Sequence, residues 1–279
     1  MASDYEGKVV WITGGGTGIG RALALEAARQ GADIAVSGRR AEPLEGVAAE
    51  VRAMGRRALV IVSDVVDEAA CRAAVARVVA ELGRLDVAIA NAGYGVSGSF
   101  ERLAMADWRR QFDINVFGLL NTIYAALPEL RKSGGRLALV ASVMGLVTVP
   151  GQGPYAASKF AVRAIGLTLA QELHGSGVSV TTIHPGFVES DIARTDNQGR
   201  FDAARRDPRP AKLMWPADRA ARVMLRAVAR RTREAVFTGH GKAGAFLGKH
   251  FPGLVHFVIT RSGAGKKALA GTKQPRLEK

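Results

Sequence analysis

The sequence predicts an α/β fold, a doubly wound parallel sheet of about seven strands with helices on both faces. Three observations predict it. Short, nearly continuous apolar runs alternate with longer amphipathic ones, as in strands buried on both faces and joined by crossover helices. A glycine cluster follows the first apolar run. Polar residues or glycines then recur just past strand after strand, at the edge where open parallel sheets bind ligands.

The strand candidates are 8–13 (KVVWIT), 33–37 (DIAVS), 58–62 (ALVIV), 86–90 (DVAIA), 136–141 (RLALVA) and 178–184 (VSVTTIH), with 234–238 (EAVFT) as a seventh. The helix candidates are 18–30, 42–54, 67–82, 105–131, 154–174 and 216–231. Right-handed crossovers wind such a series into one sheet. The expected domain is 1–241, with a loose polar segment at 192–213 as a mobile loop and a basic extension at 242–279. No repeat is visible beyond the βα rhythm.

A chain of 279 residues, 48% hydrophobic, can bury one substantial core. Its one cysteine, Cys71, excludes an internal disulfide and fits a helix packing position. The polar start MASDYEGKVV lacks a secretory pattern, and no apolar run is long enough to span a bilayer. A cytoplasmic location without a metal site is therefore expected. The net charge is uneven: residues 1–191 hold 19 Lys and Arg against 19 Asp and Glu, whereas residues 192–279 hold 20 against 6, the whole excess of +14.

The run Thr13-Gly14-Gly15-Gly16-Thr17-Gly18-Ile19-Gly20 lies between the first strand and the first helix. Glycines let a backbone approach a pyrophosphate, and a helix N-terminus offers N–H groups and a favourable dipole. The spacing is G-x-x-x-G-x-G, framed by Gly14, Gly18 and Gly20; the alternative is a flexible turn that binds nothing. The second strand ends in Ser37-Gly38-Arg39-Arg40, without the carboxylate that would bind ribose hydroxyls. Arginines suit a 2′-phosphate, which favours NADP(H) over NAD(H); the alternative is a solvated loop pairing with Glu42 or Glu45. Asp64 and Val65, past the third strand, suit an adenine rim.

Tyr155 and Lys159 stand four residues apart at a helix start, hence on one face. A nearby ammonium favours a phenolate and brings tyrosine closer to the range of general acid–base work. Ser142, ending the fifth strand, is placed to donate to a substrate oxygen as charge develops. Asn115, polar among apolar neighbours, is a candidate to hold a water beside Lys159. Each feature alone has a bland reading, such as a chance Y-x-x-x-K or an Asn satisfying a carbonyl. Their placement at one sheet edge points to catalysis.

With Asn91-Ala92-Gly93 and the PGFVES run at 185–190, these motifs make residues 6–240 resemble the short-chain dehydrogenase/reductases, whose domain is of Rossmann type. The resemblance implies that Tyr155 gives or takes the proton, Lys159 holds the ribose and tunes the tyrosine, Ser142 positions the carbonyl and Asn115 completes a proton relay. It also implies that Pro185, Gly186, Val188 and Ser190 seat the nicotinamide carboxamide. The family often has Asn where Ala90 stands and Thr where Ser190 stands. A homodimer or homotetramer through the helices at 105–131 and 154–174, and a 192–213 loop covering the substrate, follow from the same likeness.

Residues 242–279 include AFLGKHFPGLVHFVI, too short and polar to span a bilayer. Two readings stand: a packing segment that closes the substrate pocket or an oligomer contact, favoured because the apolar run is brief, or peripheral contact with anionic lipid. The segment is similar to the tails of hydroxysteroid- and retinol-type family members. Nucleic acid is not an expected partner, since no recognition module accompanies the basic residues. The expected activity is hydride exchange between NADP(H) and a lipophilic carbonyl or secondary alcohol, with 3-ketoacyl thioester reduction and non-catalytic NADP sensing as alternatives.

Overall fold

The computed structural model describes residues 4–262. In chain order the elements are β1 (Val9–Thr13), α1 (Gly18–Arg29), β2 (Asp33–Gly38), α2 (Ala41–Ala53), β3 (Ala58–Val62), α3 (Glu68–Leu82), β4 (Val87–Ala90), α4 (Met105–Phe112), α5 (Gly118–Ser133), β5 (Arg136–Val140), α6 (Gly153–Glu172), β6 (Ser179–His184), α7 (Ala217–Ala229), β7 (Glu234–Val236), α8 (Gly239–His250) and α9 (Pro252–Arg261).

All seven strands pair in parallel in the order β3-β2-β1-β4-β5-β6-β7. Alternate strand residues point to opposite faces, so each strand feeds two cores. Val10, Ile12, Ile34 and Val36 pack with Leu23 of α1 and Met224 of α7. Val9, Trp11, Leu137 and Leu139 pack with Val78 of α3 and Leu130 of α5. Strand order reverses between β1 and β4, and a doubly wound sheet opens its ligand crevice at such a switch point.

Local chemistry sets the helix ends. Asp67 caps α3 by accepting from the Ala70 N–H at 3.0 Å, and Gly83 closes it at φ 90°. Gly134 ends α5 in the left-handed region, at φ 59°.

The helix expected over 105–131 is not continuous. A π-helical turn, Asp113–Phe117, separates α4 from α5. Such a turn adds a residue to the helical repeat, and is frequently found at functional sites. The segment 192–213 is folded across the open edge of the sheet. It contains short turns at Asp191–Arg194 and Ala211–Leu213 and an antiparallel bridge between Thr195 and Phe201. The Asn197 amide donates to Ser97 O at 2.9 Å and accepts from Ser97 N at 3.1 Å, fastening the segment to the stretch after β4.

The two helices beyond β7 were not among the sequence candidates, because glycines in α8 and Pro252 interrupt the apolar periodicity. Pro252 instead begins α9, a position where its missing N–H costs nothing. Gly241, Gly244 and Gly248 of α8 lie against Val143 and Val147. The proposed boundary at 241 therefore falls inside α8, and residues 263–279 of the extension lie outside the described residues.

Candidate active site

The strands β1 and β4 are stitched at their carboxyl ends by side chains. Thr13 Oγ1 accepts from the N–H groups of Asn91 and Ala92, both at 3.1 Å. Asn91 Nδ2 donates to Thr13 O at 2.9 Å and to Gly14 O at 3.2 Å. This fixes the glycine turn over the switch point. Gly14 has φ 65°, and Gly18 has φ 52°, values that side chains resist. A Cβ at Gly20 would run into the Gly14 carbonyl. No side chain caps α1, and its first turn carries no acid, so its N-terminus is open to an anion.

The turn forms one wall of a cleft of about 340 Å³, lined by Gly14, Gly16, Thr17, Gly18, Ile19 and Gly20. At one end Arg39 and Arg40 face Asp64 and Val65, and the Arg40 guanidinium stands 5.4 Å from the centre of the Phe201 ring. Asp64 Oδ1 accepts from the Val66 N–H at 3.1 Å. Ser37 is the exception among the expected cofactor residues. It is buried, and its Oγ accepts from Trp11 Nε1 at 3.1 Å inside the sheet. Its side chain faces away because side chains alternate along β2.

The other end of the cleft gathers Ser142, Tyr155 and Lys159 beside Asn91, Ala92 and Gly93. Tyr155 and Lys159 rise from the first turns of α6, and Ser142 stands two residues past the end of β5. The Tyr155 hydroxyl is hydrogen-bonded to the Ser142 side chain. Burial pushes the Tyr155 phenol up, while the Ser142 bond and the Arg209 charge pull it back; burial wins. Burial pushes the Lys159 ammonium down to about 8. Lys159 Nζ lies 5.7 Å from the centre of the Tyr155 ring and donates to Val140 O at 2.8 Å. The lowering of the phenol expected from the lysine is not found: what opposes burial is the Ser142 bond and the Arg209 charge.

Asn115 sits in the π turn, and its side chain is not on the cleft wall. Its amide donates to Tyr94 O at 3.0 Å and to Ser158 Oγ at 3.1 Å, and accepts from Tyr94 N at 3.1 Å. These bonds tie the stretch after β4 to α6, leaving the side chain committed to protein partners. A Cβ at Gly93 would stand 3.0 Å from Asn115 Oδ1 and 3.7 Å from Lys159 Nζ, so only glycine leaves this corner free. Ser142 is braced from behind. Its carbonyl accepts from His184 Nδ1 at 3.0 Å, and His184 Nε2 lies 3.1 Å from Glu234 Oε1. Burial pushes the His184 imidazole down.

Pro185, Gly186, Val188 and Ser190 line the cleft after β6. Pro185 O accepts from Val143 N at 3.0 Å, holding this turn against the Ser142 corner. Arg209 also lines the cleft. It is paired with Asp207 at 2.7 Å and donates to Val188 O at 2.9 Å and Ser190 O at 3.1 Å. Nothing in its local sequence distinguishes it from the other arginines of this basic stretch; only the folded segment brings it to the site. Tyr94, Ile192 and Phe201 are further cleft residues without a sequence signal.

The cradle of glycines, the open helix end and the paired arginines fit a dinucleotide. Among the described residues no cluster of metal-ligating side chains occurs. Residues 8–200 match the family model described as short chain dehydrogenase. The chain is 36% identical over 200 residues to an 11-beta-hydroxysteroid dehydrogenase of Pinus massoniana, an alignment covering 71% of this chain and 55% of that protein. It thus spans little more than half the length of that relative. It is 37% identical over 193 residues to a 2,5-dichloro-2,5-cyclohexadiene-1,4-diol dehydrogenase of Sphingobium indicum, covering 69% of this chain and 77% of that one. A short-chain dehydrogenase/reductase of Burkholderia phymatum, solved in complex with NAD, superposes with a TM-score of 0.79 at 25% identity, covering 93% of this chain and 96% of the other. The chain belongs to the short-chain dehydrogenase/reductase family.

Proposed function

We propose that the protein is an NADP(H)-dependent oxidoreductase acting on a lipophilic carbonyl or the corresponding secondary alcohol, with Tyr155 as its proton-transfer group. One observation carries the reading. Tyr155, Ser142 and Lys159 converge at one end of a cleft whose other end is formed by Arg39 and Arg40.

The bound cofactor supplies the hydride, or accepts it in the reverse direction. The chain's own residues supply the rest. In reduction, the Tyr155 hydroxyl gives its proton to the carbonyl oxygen. Ser142 donates to the same oxygen as negative charge grows there, an interaction stronger in the transition state than in the ground state. Lys159, charged below about pH 8, stabilises the tyrosinate left behind and binds the ribose. Asn115 contributes through position, holding the Tyr94 stretch and α6 together around the lysine. Pro185, Gly186, Val188 and Ser190 would receive the carboxamide side of the nicotinamide.

Two features support the finer assignments. The β2 terminus offers two guanidinium groups and no carboxylate, so a 2′-phosphate finds a partner where a free ribose diol finds none. The Burkholderia neighbour was solved with NAD, which makes the choice of cofactor a point to test. Apart from Arg209, apolar groups stand near Tyr155: a Cβ at Gly95 would stand 3.5 Å from the Tyr155 ring and 3.9 Å from Ile192. Phe100, 72% exposed, lies 5.3 Å from Trp108 by ring centres beside the start of α6. An apolar substrate body would cover these groups.

The test is oxidation of NADPH and NADH against a panel of ketones and aldehydes of increasing hydrophobicity. NADPH is expected to be preferred, and Arg39→Asp to move preference toward NADH by about tenfold or more, the scale of losing a charged phosphate contact. A native protein that already prefers NADH would reject the cofactor assignment. Preference for small polar carbonyls would reject the substrate assignment.

A further inference from the structure

The basic C-terminal stretch also carries an apolar surface, on α8 and α9, where Lys242, Lys249 and Arg261 are the charged residues. The helices α8 and α9 form a wing beyond β7. Thr238 caps α8 through its Oγ1, which accepts from Gly241 N at 3.2 Å. Gly241, Gly244 and Gly248 share one face of α8, where Cβ atoms would press on Val143, Val147 and the Leu146 carbonyl. The glycine face therefore lies flat against 143–147, the stretch that begins directly after Ser142. His240 adds a second tie. Its Nε2 accepts from Phe187 N at 3.0 Å, and its ring stacks on Phe187 at 5.0 Å.

The opposite side of the wing is apolar and open. Phe246, Phe251, Leu254, Phe257 and Val258 are each at least half exposed. Leu254, Phe257 and Val258 recur at helical spacing on one face of α9, a helix with no buried residue. The Arg261 guanidinium lies 5.1 Å from the centre of the Phe257 ring at the end of that face. Phe246 and Phe251 meet at 6.1 Å across the joint between the helices.

Three occupants compete for this surface. Residues 263–279 contribute only Leu269 and Leu277 as large apolar side chains, too few to cover it. A second copy would oppose like charges, because residues 239–279 hold eight Lys and Arg against one Glu. A bilayer bearing anionic headgroups matches both properties, accepting the aromatic and aliphatic face while attracting the cations. Among the described residues no helix is long and apolar enough to cross a membrane, so the wing would lie in the interface.

We propose that the α8–α9 wing docks the protein peripherally on an anionic membrane surface, with the Ser142 end of the cleft beside the bilayer. Lipophilic substrates then enter from the membrane side. This last step rests on the catalytic reading given above; the docking does not.

The full-length protein is tested by co-sedimentation with vesicles of phosphatidylcholine alone and of phosphatidylcholine with about 30% phosphatidylserine, the latter fraction chosen to supply the surface potential that attracts cations. The double variant Leu254→Asp, Phe257→Asp is tested alongside, since it alters side chains that touch no core. Native protein is expected to bind the anionic vesicles at least about tenfold more tightly than neutral ones, with the difference shrinking at high salt. The variant is expected to lose about tenfold or more, with unchanged turnover of a small water-soluble carbonyl. Turnover of a carbonyl dissolved in the vesicles should fall in step with its binding. Equal sedimentation of native protein and variant overturns the docking, as does a variant whose only change is a smaller mass by light scattering, which assigns the surface to a second copy. Docking lost with vesicle-substrate turnover unchanged overturns the membrane route alone.

Discussion

Lys159 shows how the site trades stability for chemistry at the scale of a residue. Its ammonium is buried against one carbonyl acceptor, Val140 O, and burial holds its pKa near 8, below the ordinary 10.5. Between those values the unfolded chain binds more protons than the folded one, so this group makes stability rise with pH across that window. Below about pH 8 the buried charge opposes folding. Lys159→Met should therefore gain stability relative to the native chain at pH 7, by up to about 3 kcal/mol. Losing the donor to the Val140 carbonyl offsets part of that gain, by about 1–3 kcal/mol. The advantage should narrow as pH rises toward 10.5, and turnover should be lost at every pH. Urea melts of the cofactor-free proteins across pH 7–10 check this; a gap independent of pH would show that the lysine is not held as a buried cation.

The phosphate turn makes the clearest case among the elements. Its glycines are not interchangeable with those of ordinary helices. A side chain at Gly20 meets the Gly14 carbonyl and Asn91 Nδ2, whereas one at Gly46, exposed in the middle of α2, meets nothing within 4 Å. Gly46→Ala should stabilise the protein by about 0.5–1 kcal/mol, by removing glycine's excess freedom from a helix. Gly20→Ala should displace the turn and weaken nucleotide binding by about tenfold or more, the effect of losing backbone donors at a helix N-terminus. Thermal melts and nucleotide titrations of the two variants separate these effects, and equal consequences would contradict the close-approach explanation.

The turn and the strands were legible in the sequence because their signals are local. Apolar runs bounded by glycine give β1 to β6 nearly at their observed limits, and Tyr155 and Lys159 share a face by spacing alone. The π turn was not legible, since the bonds that Asn115 makes from it to Tyr94 and Ser158 are long-range. Ser37 was assigned to the cofactor by its neighbourhood, while the strand pleat sends it inward. Arg209 reaches the cleft only because the segment 192–213 folds back along it. The α8–α9 wing escaped because its glycines serve a packing face against Val143 and Val147, and composition reads them as helix breakers.

Over the whole molecule, charge and chemistry are segregated. The balanced first two-thirds builds most of the sheet and the glycine turn, and the basic last third supplies Arg209, α7 and the wing. Within the first two-thirds the glycine turn opens α1 while Tyr155 stands on α6, so nucleotide binding and proton transfer should be separable. At a hundredfold excess over Kd, NADPH should stabilise the folded chain by about 2.7 kcal/mol, whether or not the proton-transfer group is intact. The most direct measurement is therefore made on Tyr155→Phe, comparing its NADPH-induced rise in melting temperature with its turnover of the best carbonyl substrate. The rise should match that of the native protein, while turnover falls by about 10² to 10⁴, the usual contribution of a positioned acid–base group. Turnover equal to the native rate would show that the phenol does not carry the proton.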